Sequence, residues 1–258
     1  MAFETILCEV DERGVCALTL NRPDKGNAVS EIMQAELLAA IQAAAGDAAI
    51  RVVVLSGRGR NFCTGGDLDW FMQSFDDTRE GRIKRSAAFS DLYEALNTLP
   101  KPLIGRINGS CFGGGMGLIA VCDMVLALAS AKFGFTETRI GLVPASFSPY
   151  VIPRIGVANA RRTMLSGALF PAQFASRIGL VDEVCGDEAE LDHRVSTAVE
   201  EHLAAAPAAV AMTKRMLAGF AMEPPQASQA HLSALIGDAW ETGEAKLRLA
   251  ERLAKPKP

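Results

Sequence analysis

The chain has 258 residues, 49% of them apolar, which suits one globular domain with a large core. A formal net charge of −4 argues against a basic face for nucleic acid and leaves room only for a local basic patch facing a phosphate-bearing ligand. Six cysteines (Cys8, Cys16, Cys63, Cys111, Cys122 and Cys185) form no CxxC pair and sit among apolar residues, the pattern of reduced, buried thiols rather than of disulfides or zinc ligands.

The opening MAFETILCEV has no basic n-region and no long apolar run, so no signal peptide is expected. No later stretch is long and charge-free enough to span a bilayer, and the expectation is a cytoplasmic protein without a membrane partner. Phe3–Val10 and Val15–Leu20 flank the turn signal Asp11-Glu12-Arg13-Gly14 and predict a hairpin. Ser30 offers an N-cap for an Ala/Leu-rich helix reaching about Ala45. Ile50–Leu55 is a continuous apolar run, as in a strand covered on both faces. A Gly/Arg-rich loop follows, then one long helix from Asp67 to about Leu99. Leu103–Ile107, Val121–Ala127 and Phe133–Phe135 read as further strands. Strands alternating with helices predict an α/β core of parallel strands. From Glu188 onward the pattern is helical, over Glu188–Ala206, Pro207–Gly219 and Gln226–Leu253. An apolar stripe at Leu232, Leu235, Ile236 and Ala239 predicts packing on the same domain or on a partner subunit.

Two loops share one design. Ile50–Leu55 leads to Phe62-Cys63-Thr64-Gly65-Gly66-Asp67-Leu68, and Leu103–Ile107 leads to Gly113-Gly114-Gly115-Met116. Each is a strand, a glycine turn and a helix start. A helix N-terminus leaves N–H groups unpaired with partial positive charge, and glycine lets a ligand atom come close. Two such turns face to face would aim two donors at one developing oxyanion. Neither a GxxxxGK[ST] phosphate loop nor a GxGxxG dinucleotide turn matches. On spacing alone, tight helix–strand packing explains the glycines equally well.

At these loops the sequence resembles the enoyl-CoA hydratase/isomerase, or crotonase, family. The segments are FCTGGDL around residue 65, INGSCFGGGMGLIAVCD at 107–123 and AKFGFTETRIGLVP at 131–144. LNRPDKGNAV at 20–29 and LFPAQFASRIGLVDEV at 169–184 are similar to family segments too. The resemblance implies a β/α spiral core over residues 1–195 and a C-terminal helical trimerisation region over 196–258. It implies trimers or dimers of trimers, and an acyl-coenzyme A thioester as substrate. Coenzyme A then arrives with the substrate, and no separate cofactor is expected. The two oxyanion donors of the family map onto the N–H groups of Gly66 and Gly114.

Family hydratases carry two glutamates. One maps onto Glu137 and is present; the other maps onto Gly117 and is absent. Apolar neighbours of Glu137 (Phe133, Phe135, Ile140 and Leu142) would raise its pKa and suit it to proton transfer; an ordinary ion pair with Arg139 is the alternative. A lone carboxylate at this position also resembles the family's Δ3,Δ2-isomerases. ETRIGLVPASFSPYVIPRIG at 137–156, with glycine at 117, is similar to bacterial methylglutaconyl-CoA and carboxygeranoyl-CoA hydratases. Three activities therefore stand: reversible hydration of a 2-enoyl-CoA, isomerisation of an enoyl-CoA, and CoA-thioester binding without catalysis.

Other residues carry paired readings. Arg22 and Lys25 would meet the CoA phosphates or lie on a solvated turn. Asp67 would donate a proton or cap a helix start. Leu68, Trp70 and Phe71 would line the acyl pocket or enter the core. The basic stretch Arg79–Arg85 would be a solvated helix face or a clamp for a distal substrate carboxylate. Ser146 and Ser148 could hold water or the acyl group where the second glutamate is missing. His193, His202 and His231 lie together in the tail, far from both loops, and form neither a metal set nor a triad.

Overall fold

The computed structural model describes residues 3–220, together with 233–234, 237–238, 240–241 and 244–254. The first hairpin is β1 (Ile6–Val10) and β2 (Val15–Leu20), antiparallel as expected. Ser30 caps α1 (Glu31–Gly46) by accepting a hydrogen bond from Met33 N. Next come β3 (Val52–Gly57), β4 (Asn61–Cys63), α2 (Leu68–Asp76) and α3 (Arg79–Asn97). They are followed by β5 (Leu103–Ile107), β6 (Ser110–Phe112), α4 (Gly114–Ala120), β7 (Met124–Leu128) and β8 (Lys132–Gly134). The second half adds α5 (Ser148–Met164, broken at Gly156), β9 (Phe170–Pro171), α6 (Ala172–Arg177) and β10 (Glu183–Cys185). Among the described residues the C-terminal part is helical: α7 (Glu188–Leu203), α8 (Pro207–Phe220), the helical residues 233–234, 237–238 and 240–241, and α9 (Glu244–Ala254).

Two sheets are built. The larger runs β1-β2-β3-β5-β7-β10 and is parallel beyond the hairpin; the smaller runs β4-β6-β8-β9. The chain visits them in alternation. β3, β5 and β7 lie side by side in the large sheet, and each is followed within a few residues by β4, β6 or β8 in the small one. Each turn of this spiral leaves the small sheet at the same edge, and the residues that follow β4, β6 and β8 are therefore neighbours. The apolar runs on β2, β3, β5 and β7 make the core, with Leu18, Val53, Leu55, Ile107 and Val125 fully buried.

Several boundaries differ from expectation. The helix expected over Asp67–Leu99 is two helices, because Asp77 ends α2 and the Thr78 hydroxyl accepts from Gly81 N to start α3. Val121 closes α4 instead of opening a strand, and β7 begins at Met124. The strands β4, β6, β9 and β10, two or three residues each, are too short to show a period. The stripe Leu232, Leu235, Ile236 and Ala239, like His231, lies outside the described residues. No helix among the described residues is long and apolar enough to cross a membrane.

Candidate active site

Three spiral turns deliver three pieces to one place. Gly66 lies three residues after β4, Gly114 two after β6, and Glu137 three after β8. Gly65 and Gly113 pack backbone to backbone: a Cβ on Gly65 would stand 3.6 Å from both Gly113 Cα and Gly114 N. The loops are pinned from behind. Val29 N donates to the Gly65 carbonyl at 2.8 Å, Asp67 N to the Val29 carbonyl at 3.1 Å, and Gly113 N to the Gly134 carbonyl at 2.9 Å. Gly113 holds φ 52°, which glycine adopts without strain, and this turns the chain into α4. Neither Gly66 N–H nor Gly114 N–H finds an acceptor among the described residues. Gly66 and Gly114 both line a cavity of about 720 Å3.

Glu137 enters the same cavity from the turn after β8. A Cβ on Gly113 would lie 3.2 Å from Glu137 Oε1. The residue is half-buried, but its Oε2 is shut from solvent and has no hydrogen-bond partner among the described residues. Burial pushes the carboxyl up to about 7, against a smaller opposing pull from its own backbone N–H. Arg139 does not pair with it; its Nε donates to the Ser166 carbonyl.

The absent second carboxylate has a physical counterpart. A Cβ on Gly117 would stand 2.5 Å from Tyr93 Cζ and 2.7 Å from Phe147 Cβ. The Tyr93 ring fills that space from α3, and its hydroxyl donates to the Gly114 carbonyl at 2.7 Å. Burial holds the Tyr93 phenol well above its ordinary value, so it stays a neutral donor. Tyr93 carries no motif of its own. The available signal was Ser86, Phe89 and Tyr93 at helical spacing, one face of α3 turned to the cavity.

The remaining predicted residues divide. Asp67 caps α2 by accepting from Asp69 N at 2.8 Å. Its other oxygen takes Arg22 Nη1 at 2.5 Å, and Arg22 also donates to the Ala28 carbonyl at 2.7 Å. Arg22 thus ties the loop 21–28 to the Gly66 turn, with its guanidinium engaged there and not on the cavity lining. Lys25 is exposed, unpaired among the described residues, and stands at the cavity rim. Leu68 lines the cavity at 42% exposure. Trp70 does both things expected of it, lining the cavity while packing edge-on against Phe71 and Phe89 at 5.0 and 5.7 Å. Ser146 is in the lining; Ser148 is not, because its hydroxyl is donated to the Pro144 carbonyl.

The basic stretch of α3 divides: Lys84 is exposed, as on a solvated face, the arginines are engaged in ion pairs, and none of these side chains lines the cavity. Arg79 pairs with Asp238 at 2.6 Å, and Arg85 pairs with Asp77 and Glu31. Arg82 is buried, bonds Glu241 at 2.5 Å and the Ser74 carbonyl at 2.9 Å, and lies over the Trp240 ring. Trp240 packs on Phe75 and on the cluster of Ile140, Leu142 and Ala145, three residues of the cavity wall. Alternating charge in the segment was visible in sequence; its partners 159 residues away were not. His193 and His202 both ride on α7, away from the cavity.

A family model described as enoyl-CoA hydratase/isomerase matches residues 11–240. This chain belongs to the enoyl-CoA hydratase/isomerase family. An enoyl-CoA hydratase of Alternaria alternata is 32% identical over 205 residues, 80% of this chain and 67% of that one. The crystal structure of an enoyl-CoA hydratase from Bacillus halodurans superposes with a TM-score of 0.89 at 25% identity, covering 96% of this chain and all (100%) of that one. One from Mycobacterium avium gives 0.85 at 28% identity, covering 98% of each chain. The crotonase fold that the resemblance implies is the fold observed.

Proposed function

We propose that the protein adds water reversibly to a 2-enoyl-CoA, with Glu137 as the group that moves the proton. The observation that carries this is the unpartnered Glu137 Oε2, buried in the cavity that receives the free N–H groups of Gly66 and Gly114. A thioester oxygen seated on those two N–H groups gains stabilisation as it becomes an enolate oxygen, about 3 kcal/mol per donor. The Glu137 carboxylate takes a proton from water as the hydroxyl oxygen bonds to Cβ, and the Cα=Cβ pair moves onto the thioester oxygen. The enolate then collapses and Cα takes the proton back from Glu137. One carboxylate begins and ends ionised, and one water is added. Acyl carbons lie against Trp70, Phe89, Tyr93 and Phe147, and the CoA end passes Leu68 and the Lys25 ammonium at the rim.

A second reading is favoured by the ring at Gly117. With no room for a second carboxylate, Glu137 also suits isomerisation, taking a proton from Cα of a 3-enoyl-CoA and returning it at Cγ. Mass spectrometry separates the two. Crotonyl-CoA, 3-methylglutaconyl-CoA and a 3-enoyl-CoA are incubated with the protein and with Glu137→Gln. A gain of one water that the variant abolishes supports hydration. A double-bond shift without added mass gives isomerisation. Retention of CoA thioesters with neither change leaves a binding protein and defeats both.

We extend the proposal to assembly, with residues 1–195 as the catalytic core and 196–258 as the trimerisation region. Met212, Met216 and Leu217 on α8 are more than half exposed, apolar surface that neighbouring copies in a trimer or hexamer would cover. Light scattering on the eluting protein tests it, and a monomer would refute it.

A further inference from the structure

Among the polar residues of the cavity lining, Ser86 and Ser146 belong neither to the glycine loops nor to the rim loop of Asp24 and Lys25. Ser86 on α3 is 1% exposed, and its Oγ lies 3.2 Å from Oγ of Ser146. Both residues line the cavity. Serine or threonine inside a helix normally turns its hydroxyl back to the carbonyl four residues earlier. Ser74, Thr163 and Thr197 do so here. Ser86 does not; it reaches across to Ser146 instead. The 3.2 Å separation is long for O–H···O, and two hydroxyls sharing one such contact keep a proton and several lone pairs unused. Hydroxyls left so poorly matched at an apolar wall favour a ligand group that completes them.

Ser86 is seven residues before Tyr93, about 10 Å along the helix axis. Tyr93 and Phe89 both reach Gly114, and Ser86 lies one further turn along α3, so the pair sits beyond the proposed thioester oxygen along that helix, toward the acyl chain. The charge of the lining decides between ligand chemistries. Its acidic members are Asp24, Asp67, Asp69 and Glu137, and among the described residues its one cation is the exposed Lys25. A second carboxylate on the acyl group would find no counter-charge beside the serines.

We propose that Ser86 and Ser146 form a specificity site for a neutral hydrogen-bonding substituent, a hydroxyl or a keto oxygen, on the distal part of the acyl chain. The inference rests on the acyl-CoA reading above. The hydroxyl pair donates one proton to the substituent's oxygen and accepts from it where it is a hydroxyl, while the flanking Phe89 and Phe147 hold the adjoining carbons.

Three 2-enoyl-CoA substrates of equal chain length test it: one with a plain alkyl end, one with a distal hydroxyl and one with a terminal carboxylate. The kcat/KM ratio of hydroxylated to plain substrate is measured for the wild type, Ser146→Ala and Ser86→Ala/Ser146→Ala. The expected ratio is roughly tenfold in the wild type and falls toward one in the double variant. Ser146→Thr keeps a hydroxyl and should keep most of the ratio. Equal turnover of the hydroxylated and plain substrates by the wild type overturns the inference, and so does a preference for the carboxylate. Equal losses on both substrates in the variants assign the serines to the reaction centre or to packing and overturn it as well. If the wild type processes none of the three, the acyl-CoA reading fails first.

Discussion

Two positions in one cavity could have held an acid or base, and the chain treats them oppositely. At Glu137 a carboxylate is placed beside Gly113 in the cavity, its Oε2 without a partner among the described residues and its pKa pushed up to about 7 by burial. At Gly117, even a methyl group would overlap the ring of Tyr93 and the Cβ of Phe147. The Glu137 site keeps a desolvated charge that packing alone would never favour, a cost tolerated where chemistry needs it. The Gly117 site is filled as tightly as any core position. A glycine where a glutamate is expected is therefore not a lost side chain over an empty space. The neighbouring helix has taken the volume, and under the proposed function proton handling falls to Glu137 alone.

The largest expected effect comes from removing that group. Glu137→Gln keeps the shape and the hydrogen-bonding reach but cannot accept a proton, so kcat on a 2-enoyl-CoA should fall roughly 10²–10⁴-fold. The same variant should melt higher than the wild type at pH 8 and nearly level with it at pH 5. The folded carboxyl holds its proton up to about pH 7, whereas an unfolded glutamate releases its own near 4.5, so this group's contribution to stability declines as pH rises between the two. Equal melting at both pH values would show that burial does not govern Glu137.

Next comes an attempt to restore the second carboxylate. Gly117→Glu forces either the Tyr93 ring or α4 to move, and overpacking with a buried charge should cost about 3 kcal/mol or more. For a chain of this size that lowers Tm by roughly 6–12 °C. Tyr93→Ala combined with Gly117→Glu opens the space and should recover part of the loss. A single variant that melts with the wild type would mean the ring yields freely, and the contrast between the two positions would not hold.

A smaller, graded effect is the pH profile. The proposed steps start from ionised Glu137, and ionisation grows as pH climbs through about 7. On the acid side kcat/KM should drop roughly tenfold per pH unit, with a plateau above pH 8. A profile flat from pH 5 to 8 would place the working pKa at the ordinary carboxylate value and remove burial from the account.

Much of this site was legible before any coordinates. The glycine loops and Glu137 stand in local motifs, and local motifs are what a sequence displays. The strands of the large sheet were legible for the same reason: Ile50–Leu55 and Leu103–Ile107 are largely apolar runs, each with a single arginine. What escaped was non-local. Tyr93 acquires its role only because α3 lies across α4, and Arg82 only because Glu241 and Trp240 return to it from the far end of the chain. Arg22 and Asp67, 45 residues apart, looked like separate candidates and proved to be one ion pair. Of the small sheet only β8 was expected, at Phe133–Phe135, because strands of two or three residues have no period; its register, Cys111 beside both Cys63 and Phe133, is nonetheless what aligns the three loops.

The finest distinction lies within Tyr93 itself. Its ring fills the space at Gly117, while its hydroxyl donates to the Gly114 carbonyl beside one of the two free N–H groups. Tyr93→Phe keeps the ring and deletes the hydroxyl. If the hydroxyl only steadies the first turn of α4, one buried hydrogen bond is lost, about 1 kcal/mol, and kcat should fall only a few-fold with the pH profile unchanged. If the phenol instead supplied a proton in place of the absent glutamate, the loss would approach 100-fold and the profile would change shape. The geometry favours the first outcome. A phenol whose burial holds its proton far above neutrality, and whose hydroxyl already donates to a carbonyl, steadies the Gly114 turn and, under the proposed function, leaves the proton transfer to Glu137.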